Sequence, residues 1–370
     1  MSADQTPRLT EFAALPASGA RAVEPFELDG VHLLAIPQLA YDSPGSPPGM
    51  NGGDSDTELL LLRRAEDSDV YEPFQTLPAP GGEDAEFFRI GSRAFLAVAS
   101  IRSGKGPYRF TTDSVVFEWD GTRFNPFQSF EGFAAKQWRH FAIGERHFLA
   151  LAQGVTAPGH EQENQPSRIY IWDRTGFVPL QDIDALWGYN WHAFELGGEH
   201  FLAYADHVRP SVLLRWNGEK FEHVQELAAQ HGRAFAHFTD PADGATYLLV
   251  ACLLSPSRLL RWDGERFVEH QVLEGLGARE FAVIETERGL YVVRVNFVLG
   301  TPADPTTTLD SELYRFEQGR LKVLQSFPTT GATDAAVIER HDGGLLIAIS
   351  NSLTADARFA ARTVFYRFDE

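Results

Sequence analysis

The sequence predicts an all-β fold, a seven-bladed β-propeller of four-stranded antiparallel blades. Three observations carry this prediction. A short motif recurs along the chain with its copies 44 to 54 residues apart. A second apolar hairpin pattern precedes several of those copies. The N-terminus holds a spare strand pattern, and the C-terminus stops one strand short of a complete unit.

The recurring motif consists of an aromatic residue, a polar turn with Gly, a second aromatic or apolar residue, and a Gln nine positions after the first aromatic. Five copies keep this spacing: WDGTRFNPFQ (119–128), WDRTGFVPLQ (172–181), WNGEKFEHVQ (216–225), WDGERFVEHQ (262–271) and FEQGRLKVLQ (316–325). A degenerate sixth copy ends at Gln75. Asp-Gly and Asn-Gly after an alternating apolar run favour a tight primed turn. The motif therefore predicts a β-hairpin between strands C and D.

The second pattern lies upstream of the motif and predicts the hairpin between strands A and B. Its clearest copies are FFRIGSRAFLAVA (87–99), HFAIGERHFLALA (140–152) and AFELGGEHFLAYA (193–205). Each places a Gly-containing turn between two apolar runs. One repeat thus supplies four short strands, which is the content of one propeller blade.

The two ends of the chain indicate how the ring closes. The stretch from Phe12 aligns with the stretch from Phe74, with Ala13 at the Gln position, and the terminal VFYRFDE ends where a C–D turn should begin. We therefore expect strand 8–16 to complete the last blade and so remove exposed sheet edges. One domain, 1–370, would hold blades at about 20–77, 84–130, 136–183, 189–227, 233–273, 279–327 and 333–370.

The order of Phe, Gln, apolar A–B hairpin, aromatic-Asn/Asp-Gly turn and Phe resembles the EAR (epilepsy-associated repeat, or EPTP) family. The resemblance covers about residues 8–370. It implies a seven-bladed propeller, and the family's animal members resemble extracellular modules that bind the ectodomains of membrane proteins. The sequence shows neither a leucine-rich domain nor a signal-peptide pattern beside the propeller.

The amino-acid composition limits the classes of binding partner and the cellular compartment to be expected. The chain has 32 basic and 51 acidic residues, for a net charge of −19, which disfavours nucleic acid as a partner. Its one cysteine, Cys252, excludes an internal disulfide. Because no run reaches the roughly 18 apolar residues of a membrane span, and MSADQTPRLTEF lacks a secretory pattern, we expect a cytoplasmic protein. The Ala, Arg and Gly usage suggests a bacterial source.

Residues that recur in every repeat are expected to hold the blades together. Four tryptophans at one repeat position should pack between blades, where a large ring buries much area: Trp119, Trp172, Trp216 and Trp262. The recurring Gln offers a donor and an acceptor to a neighbouring strand. Function is therefore expected where the repeats differ.

The repeats differ most on one face, here called the upper face, which carries the B–C loops and D–A connections. Five B–C loops are long: 39–58, 100–114, 154–167, 298–311 and 351–363, in blades 1, 2, 3, 6 and 7. Those of blades 4 and 5 are short. We expect a mouth over blades 4 and 5, since variable loops on a rigid scaffold commonly bind ligands.

The starts of strand A should line the top of the central channel. The candidate ligand-binding residues there are Trp138, Arg139, His140, Trp187, Tyr189, Trp191, Arg233 and Arg279, facing the acidic Asp84, Glu280 and Asp334. Aromatic walls with a few charged groups suit a small organic or peptide ligand. The alternative is that these rings fill the channel. Alternation along the strand predicts that either Arg139 or His140 is packed rather than channel-facing.

Two functions remain open. The first is a binding module for a small molecule, peptide or protein at the upper face and channel mouth. The second is a cofactor-independent cyclase, lyase or isomerase, with His192 as general acid or base and Glu280 or Asp334 as the complementary carboxylate. The residues leave open whether the chain is an enzyme.

Metal binding is a further expectation for the carboxylates at the starts of strand A. Asp84, Glu280 and Asp334 could together hold calcium or another hard cation through oxygen ligands. The resemblance to the EAR family, with its acidic residues at these positions, implies the same. No zinc-ligand spacing occurs, and the sequence predicts no organic cofactor.

Overall fold

The computed structural model describes residues 6–156, 159–160 and 162–370, and it arranges them as seven four-stranded antiparallel blades. The predicted seven-bladed propeller is thus confirmed. Strand A of each blade contacts strand A of the next, so the A strands surround a central channel. These residues contain no helix, and hence no helix that could cross a membrane.

The strands follow one another in chain order, with β1 (Arg8–Pro16) ahead of the first blade. Blade 1 holds β2 (Glu24–Leu28), β3 (Val31–Ile36), β4 (Glu58–Arg64) and β5 (Tyr71–Pro78). Blade 2 holds β6 (Gly82–Ile90), β7 (Arg93–Ser100), β8 (Thr111–Trp119) and β9 (Phe124–Phe133). Blade 3 holds β10 (Gln137–Ile143), β11 (Arg146–Ala152), β12 (Ser167–Trp172) and β13 (Phe177–Ile183). Blade 4 holds β14 (Gly188–Leu196), β15 (Glu199–Asp206), β16 (Ser211–Trp216) and β17 (Phe221–Ala228).

The remaining blades keep the same order. Blade 5 holds β18 (Gly232–Thr239), β19 (Thr246–Cys252), β20 (Ser257–Trp262) and β21 (Phe267–Leu273). Blade 6 holds β22 (Ala278–Thr286), β23 (Gly289–Asn296), β26 (Thr308–Glu317) and β27 (Arg320–Thr330), with a small hairpin, β24 (Leu299–Thr301) and β25 (Asp304–Thr306), in its B–C loop. Blade 7 holds β28 (Ala332–Glu339), β29 (Leu345–Asn351) and β30 (Arg362–Asp369).

The N-terminal strand closes the ring. Strand β1 is the fourth strand of blade 7 and pairs antiparallel with β30, from Arg8 opposite Asp369 to Pro16 opposite Arg362. The predicted closure is therefore confirmed. It joins the two ends of the chain within one sheet and covers the edge that β30 would otherwise expose.

The apolar cores lie between neighbouring blades, and the four recurring tryptophans pack there as predicted. Trp216 of blade 4 lies 4.9 Å from Phe221 of its own blade and 5.2 Å from Phe148 of blade 3, between ring centroids. Trp172 with Phe95 and Trp262 with Phe201 are the equivalent pairs at two other junctions, and Trp119 contacts Phe74 on strand D of blade 1. The tryptophans therefore pack blades 2 to 5 against the preceding blade.

The recurring glutamine closes a two-bond contact with the next blade. Gln225 accepts from the Phe267 N–H at 2.9 Å and donates Nε2–H to the Phe267 carbonyl at 2.6 Å. The same reciprocal pair joins Gln75 to Phe124, Gln128 to Phe177, Gln181 to Phe221, Gln271 to Leu321 and Gln325 to Leu9. The predicted hydrogen-bonding role is confirmed, and the partner is strand D of the neighbouring blade.

The C–D turns use a positive φ at the position after Asp or Asn. Gly121, Gly218 and Gly264 have φ values of 98°, 101° and 111°. In blade 3 the same position is Arg174, with φ 84°. A residue with a Cβ pays a steric cost in this region that glycine avoids.

The glutamine contact can be tested by removing one amide. Gln225→Ala deletes both hydrogen bonds to Phe267 and leaves two backbone groups to find other partners, so it should cost roughly 1–3 kcal/mol of unfolding free energy. Urea unfolding followed by tryptophan fluorescence measures this. The exposed Gln230→Ala is the matched control and should change the free energy by less than about 0.5 kcal/mol. Equal small effects of both substitutions would contradict the assigned role.

The turn geometry predicts opposite effects for two substitutions. Gly121→Ala places a Cβ where φ is 98°, in space that holds no atom within 4 Å, so the expected loss of about 1–2 kcal/mol comes from backbone strain alone. Arg174→Gly relieves such strain, and this offsets glycine's own entropic cost of roughly 0.5–1 kcal/mol. Stability should then stay unchanged or rise in thermal unfolding. A loss of the same size for both variants would refute the argument.

Candidate functional site

A cavity of about 380 Å³ lies in the central channel and is lined by side chains from strand A, or the residues just before it, of all seven blades. Its polar lining is mostly charged. The channel is therefore neither closed by aromatic rings nor apolar, and its charges fall into two layers.

Backbone bulges explain how two layers of side chains reach the same cavity. In blades 2, 4, 5, 6 and 7 the pairing of strands A and B shifts register at the start of strand A. A bulge sets two residues against one on the partner strand and re-aims a side chain. Arg279 and Glu280 are consecutive, yet both line the cavity. Simple alternation would turn one of them away.

The first layer, here called the cationic collar, consists of Arg21, Lys136, Arg233 and Arg279. Arg21, Lys136 and Arg279 line the cavity together with Glu83, and Arg233 lies behind them against the ring of Tyr189. The guanidinium carbons of Arg233 and Arg279 lie 3.9 and 5.1 Å from the Tyr189 ring centroid, and Nζ of Lys136 lies 5.8 Å from it. Arg21 Nε is 3.3 Å from a Glu83 carboxylate oxygen. Among the described residues, the one ion pair of the collar is that of Arg21 with Glu83.

Burial shifts the protonation of the collar. It lowers the pKa of Lys136 to about 7, and the charge of Arg21 adds to the effect against the opposing charge of Glu83. Arg233 is held from two sides, since its Nη1 donates to His207 Nδ1 at 2.8 Å while its guanidinium covers Tyr189. Burial lowers the pKa of His207 to about 3, so the ring is neutral and accepts this bond.

The second layer, here called the acidic layer, consists of Glu24, Asp84, Glu86, Glu280 and Asp334. Arg139 pairs with Glu86 at 3.0 Å and is the cation of this layer. Burial raises the pKa of all five carboxyls. For Glu280 the pKa rises to about 8, with the charge of Asp334 as the second cause. These side chains are accessible only to the small volume of the cavity. The surrounding protein therefore still disfavours their charged form.

The acidic layer also joins neighbouring blades. Asp84 accepts the Trp138 N–H at 2.9 Å, Glu86 accepts the His140 N–H at 2.9 Å, and Asp334 accepts the Val23 N–H at 2.8 Å. Glu24 accepts the Phe87 N–H in the same way. Each of these bonds runs from strand A of one blade to strand A of the next. The carboxylates therefore have a structural role besides the charge that they give the cavity.

Two of the predicted aromatic residues pack between blades rather than walling the pocket. Trp138 is 0% exposed and lies 5.1 Å from Phe130, in the core of blades 2 and 3. Trp191 is 1% exposed and lies 4.3 Å from Tyr204, in the core of blades 3 and 4. Trp191 is the first paired residue after the bulge of blade 4, whereas Trp138 lies in a regularly paired part of blade 3. Neither ring fills the channel.

The other predicted residues divide between the mouth and the interior. Trp187 and Tyr189 stack with centroids 6.4 Å apart, and Trp187 meets His207 edge-on at 5.0 Å. Arg139 lines the cavity, whereas His140 stacks on Phe88 at 4.4 Å and burial lowers its pKa to about 3. The expectation that one of Arg139 and His140 is packed is confirmed.

His192 lines the cavity but is engaged by a second histidine. Its Nε2 lies 2.8 Å from Nδ1 of His237, and burial lowers its pKa well below the usual value, so the ring is neutral at pH 7. Glu280 receives the Asn190 side-chain N–H at 3.0 Å and the Phe281 backbone N–H at 3.1 Å. In the part of the chain that the structure describes, no hydrogen bond joins His192 to Glu280 or Asp334. The geometry therefore does not favour the acid–base pair of the enzyme alternative.

The three predicted metal ligands share the cavity without forming a ready coordination set. Asp84, Glu280 and Asp334 each give at least one oxygen to protein N–H donors. Among residues 6–156, 159–160 and 162–370, no three His, Cys, Asp or Glu side chains are grouped so as to hold a metal ion. These residues do not fit a bound hard cation in their present arrangement. A channel cation stays a prediction.

Sequence reasoning missed several residues of the site: Arg21, Glu24, Glu83, Glu86, Lys136, Gln137, Asn190 and His237. An alignment of the repeats, position by position, could have indicated some of these residues. Glu83, Lys136 and Tyr189 fall 53 residues apart, and all three belong to the collar region. The bulges were not visible in the sequence, so the alignment alone did not indicate that two adjacent columns face the channel.

The raised pKa of Glu280 predicts a pH-dependent difference between the wild type and Glu280→Gln. The folded pKa is about 8 and the ordinary value 4.5, so the folded state binds this proton more tightly than the unfolded chain. The stability that Glu280 contributes is complete below pH 4.5 and is lost as pH rises through 8. Relative to the wild type, Glu280→Gln should therefore gain stability progressively from about pH 5 to 8 in urea unfolding.

The difference between two unfolding curves isolates Glu280, because other titrating groups contribute equally to both proteins. Glu219→Gln, in the exposed C–D turn of blade 4, is the matched control and should run parallel to the wild type at every pH. A Glu280→Gln curve that also runs parallel to the wild type would overturn the raised pKa.

Comparison with known proteins supports the repeat assignment. A family model described as the EPTP domain matches residues 71–120, 123–173 and 176–217. Each match begins at strand D of one blade and ends after strand C of the next, so the family's repeat is offset from the structural blade by one strand.

The relatives are longer animal proteins. Over 168 residues the chain is 31% identical to the human thrombospondin-type laminin G domain and EAR repeat-containing protein, covering 43% of this chain and 24% of that protein. It is 26% identical over 106 residues to leucine-rich repeat LGI family member 3 of Macaca fascicularis, covering 28% and 16%. The matched part thus spans a quarter or less of each relative's length.

The solved structures show that the fold recurs in unrelated sequences. A Bacteroides uniformis protein described as a candidate 6-phosphogluconolactonase aligns with a TM-score of 0.56 at 10% identity, over 86% of this chain and 88% of that one. At this identity the likeness shows the fold alone. Together, the three matched repeats and the animal relatives support the predicted resemblance to the EAR/EPTP repeat family.

Proposed function

We propose that this protein is a binding propeller that holds a small molecule in its central cavity. The supporting observation is the cavity itself: its volume of about 380 Å³ lies within the range of small-ligand sites, and charged side chains from different blades converge on it. Its walls belong to the A strands and the residues directly before them, so most of the charged groups are held in place before a ligand arrives. Such preorganisation lowers the cost of binding.

The loops around the upper face support access from one side. The B–C connections of blades 4 and 5 comprise only 207–210 and 253–256, whereas those of blades 1 and 6 comprise 37–57 and 297–307. The blade 3 loop includes residues 157, 158 and 161, which lie outside the described residues. The low part of the rim lies beside Trp187 and Tyr189, which we assign to the mouth. No observation favours the enzyme alternative.

A substitution that fills the cavity tests this proposal. Ala22 is 7% exposed and lines the cavity, so Ala22→Phe should occupy space that a ligand needs. Small molecules from a metabolite library that raise the thermal midpoint of the wild type should bind Ala22→Phe at least about tenfold more weakly by calorimetry. Ala242→Phe, in the exposed A–B turn of blade 5, is the control and should bind as the wild type does.

Two results would count against a cavity ligand. One is a library without any compound that stabilises the wild type. The other is a ligand whose affinity is the same for the wild type and Ala22→Phe. The second result would indicate instead a peptide, protein or other ligand held by the upper loops.

A further inference from the structure

The cationic collar contains buried charges that lack protein partners. Arg279 is 6% exposed and Lys136 is 4% exposed, and both line the cavity. Within the described residues, neither side chain makes a hydrogen bond or an ion pair. Each makes a cation–π contact with the ring of Tyr189. Buried charges are ordinarily paired, because an unpaired one loses its hydration without compensation. These two are therefore unusual.

Arg102 shows what a buried arginine of this protein looks like when its role is structural. It is also 6% exposed, and all three of its nitrogens donate to protein groups. The acceptors are Ser55 Oγ, the Asn51 carbonyl and the Gly52 carbonyl, at 2.9, 3.0 and 2.7 Å. A buried arginine of this fold can thus form hydrogen bonds through all its nitrogens. Arg279 differs from Arg102 in that it lines the cavity.

Two further donors at the collar have no hydrogen-bond partner. The Nε atoms of Arg21 and Arg233 are buried and make no hydrogen bond in the part of the chain that is described, although Arg21 Nε lies at ion-pair distance from Glu83. Glu83 is the carboxylate that offsets the collar, and it lies against Arg21. An oxyanion among Arg21, Lys136 and Arg279 would supply the missing acceptors. Planar guanidinium groups match a carboxylate in charge and shape.

The acidic layer determines what the rest of the ligand must carry. It shares the cavity with the collar, since Arg279 and Glu280 are consecutive and both line it. Five carboxyls face one guanidinium, that of Arg139, in this layer. A second negative group on the ligand would raise the pKa of these carboxyls further, while an ammonium group would meet carboxyl oxygens that accept its hydrogen bonds and would favour their ionised form. A molecule with opposite charges at its two ends complements both layers.

We infer that the cavity binds a small zwitterion, an amino carboxylate whose carboxylate lies among Lys136, Arg279 and Arg21 and whose ammonium group lies against Glu280, Asp84 and Asp334. The inference rests on the proposed function and adds the chemical class of the ligand. It also assigns the two layers separate parts in recognition: the collar binds the anion, and the acidic layer selects the cation.

Calorimetry with a graded series of probes tests the inference. The probes are glycine, γ-aminobutyrate and 6-aminohexanoate, compared with butyrate, hexanoate and hexylamine, at pH 7 and low salt. One amino carboxylate should bind at least about tenfold more tightly than the singly charged compounds of matching length. The preferred length reports the separation of the two layers.

Variants separate the two layers. Lys136→Met and Arg279→Met should each weaken the preferred probe about tenfold or more, whereas Lys220→Met, exposed in the C–D turn of blade 4, should not change its affinity. Removal of an unpaired buried charge is not expected to impair folding, and circular dichroism checks this. Glu280→Gln should weaken the amino carboxylate more than the simple carboxylate of the same length.

Several outcomes would contradict a zwitterionic ligand while remaining consistent with a ligand-binding cavity. One is hexanoate or butyrate binding as tightly as the matching amino carboxylate. Another is a probe affinity unaffected by both Lys136→Met and Arg279→Met. A third is the absence of binding by all probes while a library compound of other charge still depends on the unfilled cavity. If Ala22→Phe also leaves all binding unchanged, the proposed function fails with it.

Discussion

The ring depends on the amide contact between consecutive D strands. Each glutamine side chain joins the backbone of the next blade through a donor and an acceptor together, so both polar groups of the amide are satisfied by one residue. The contact is the same at six of the seven junctions. Because the sequence repeat starts at strand D, every repeat contributes to two blades, and no blade can be completed by one repeat alone.

The channel side of the ring uses charged residues for a similar purpose. Asp84, Glu86 and Asp334 accept backbone N–H groups from the adjacent A strand, which fixes the blades around the axis. The same three residues are half of the six carboxyls that line the cavity. Structural and binding roles therefore fall on one set of side chains, and a substitution in this layer should be judged against both. The collar differs, since within the described residues the side chains of Lys136 and Arg279 make no hydrogen bond or ion pair with another strand, and each contacts the ring of Tyr189.

The sequence was sufficient for the blades, the closure by strand 8–16 and the pairing of the glutamines, since each follows from a periodic pattern. It was also sufficient to locate Asp84, Arg139, Arg279, Glu280 and Asp334 beside one channel. The bulges could not be predicted, because they depend on register against strand B rather than on composition. The bulge of blade 4 immediately precedes Trp191, whose ring lies in a blade core.

Ala13 has a consequence for how the closed ring could open. It occupies the glutamine position of β1, and its methyl group cannot make the amide contact with blade 1. At that junction Asp69 accepts from Arg340 Nε at 2.8 Å and from the His341 N–H at 3.0 Å. The one junction without the amide contact thus coincides with the chain ends. Release of β1 there would leave β30 free to pair with β1 of a second copy, a route to strand exchange that needs no repeat to unfold.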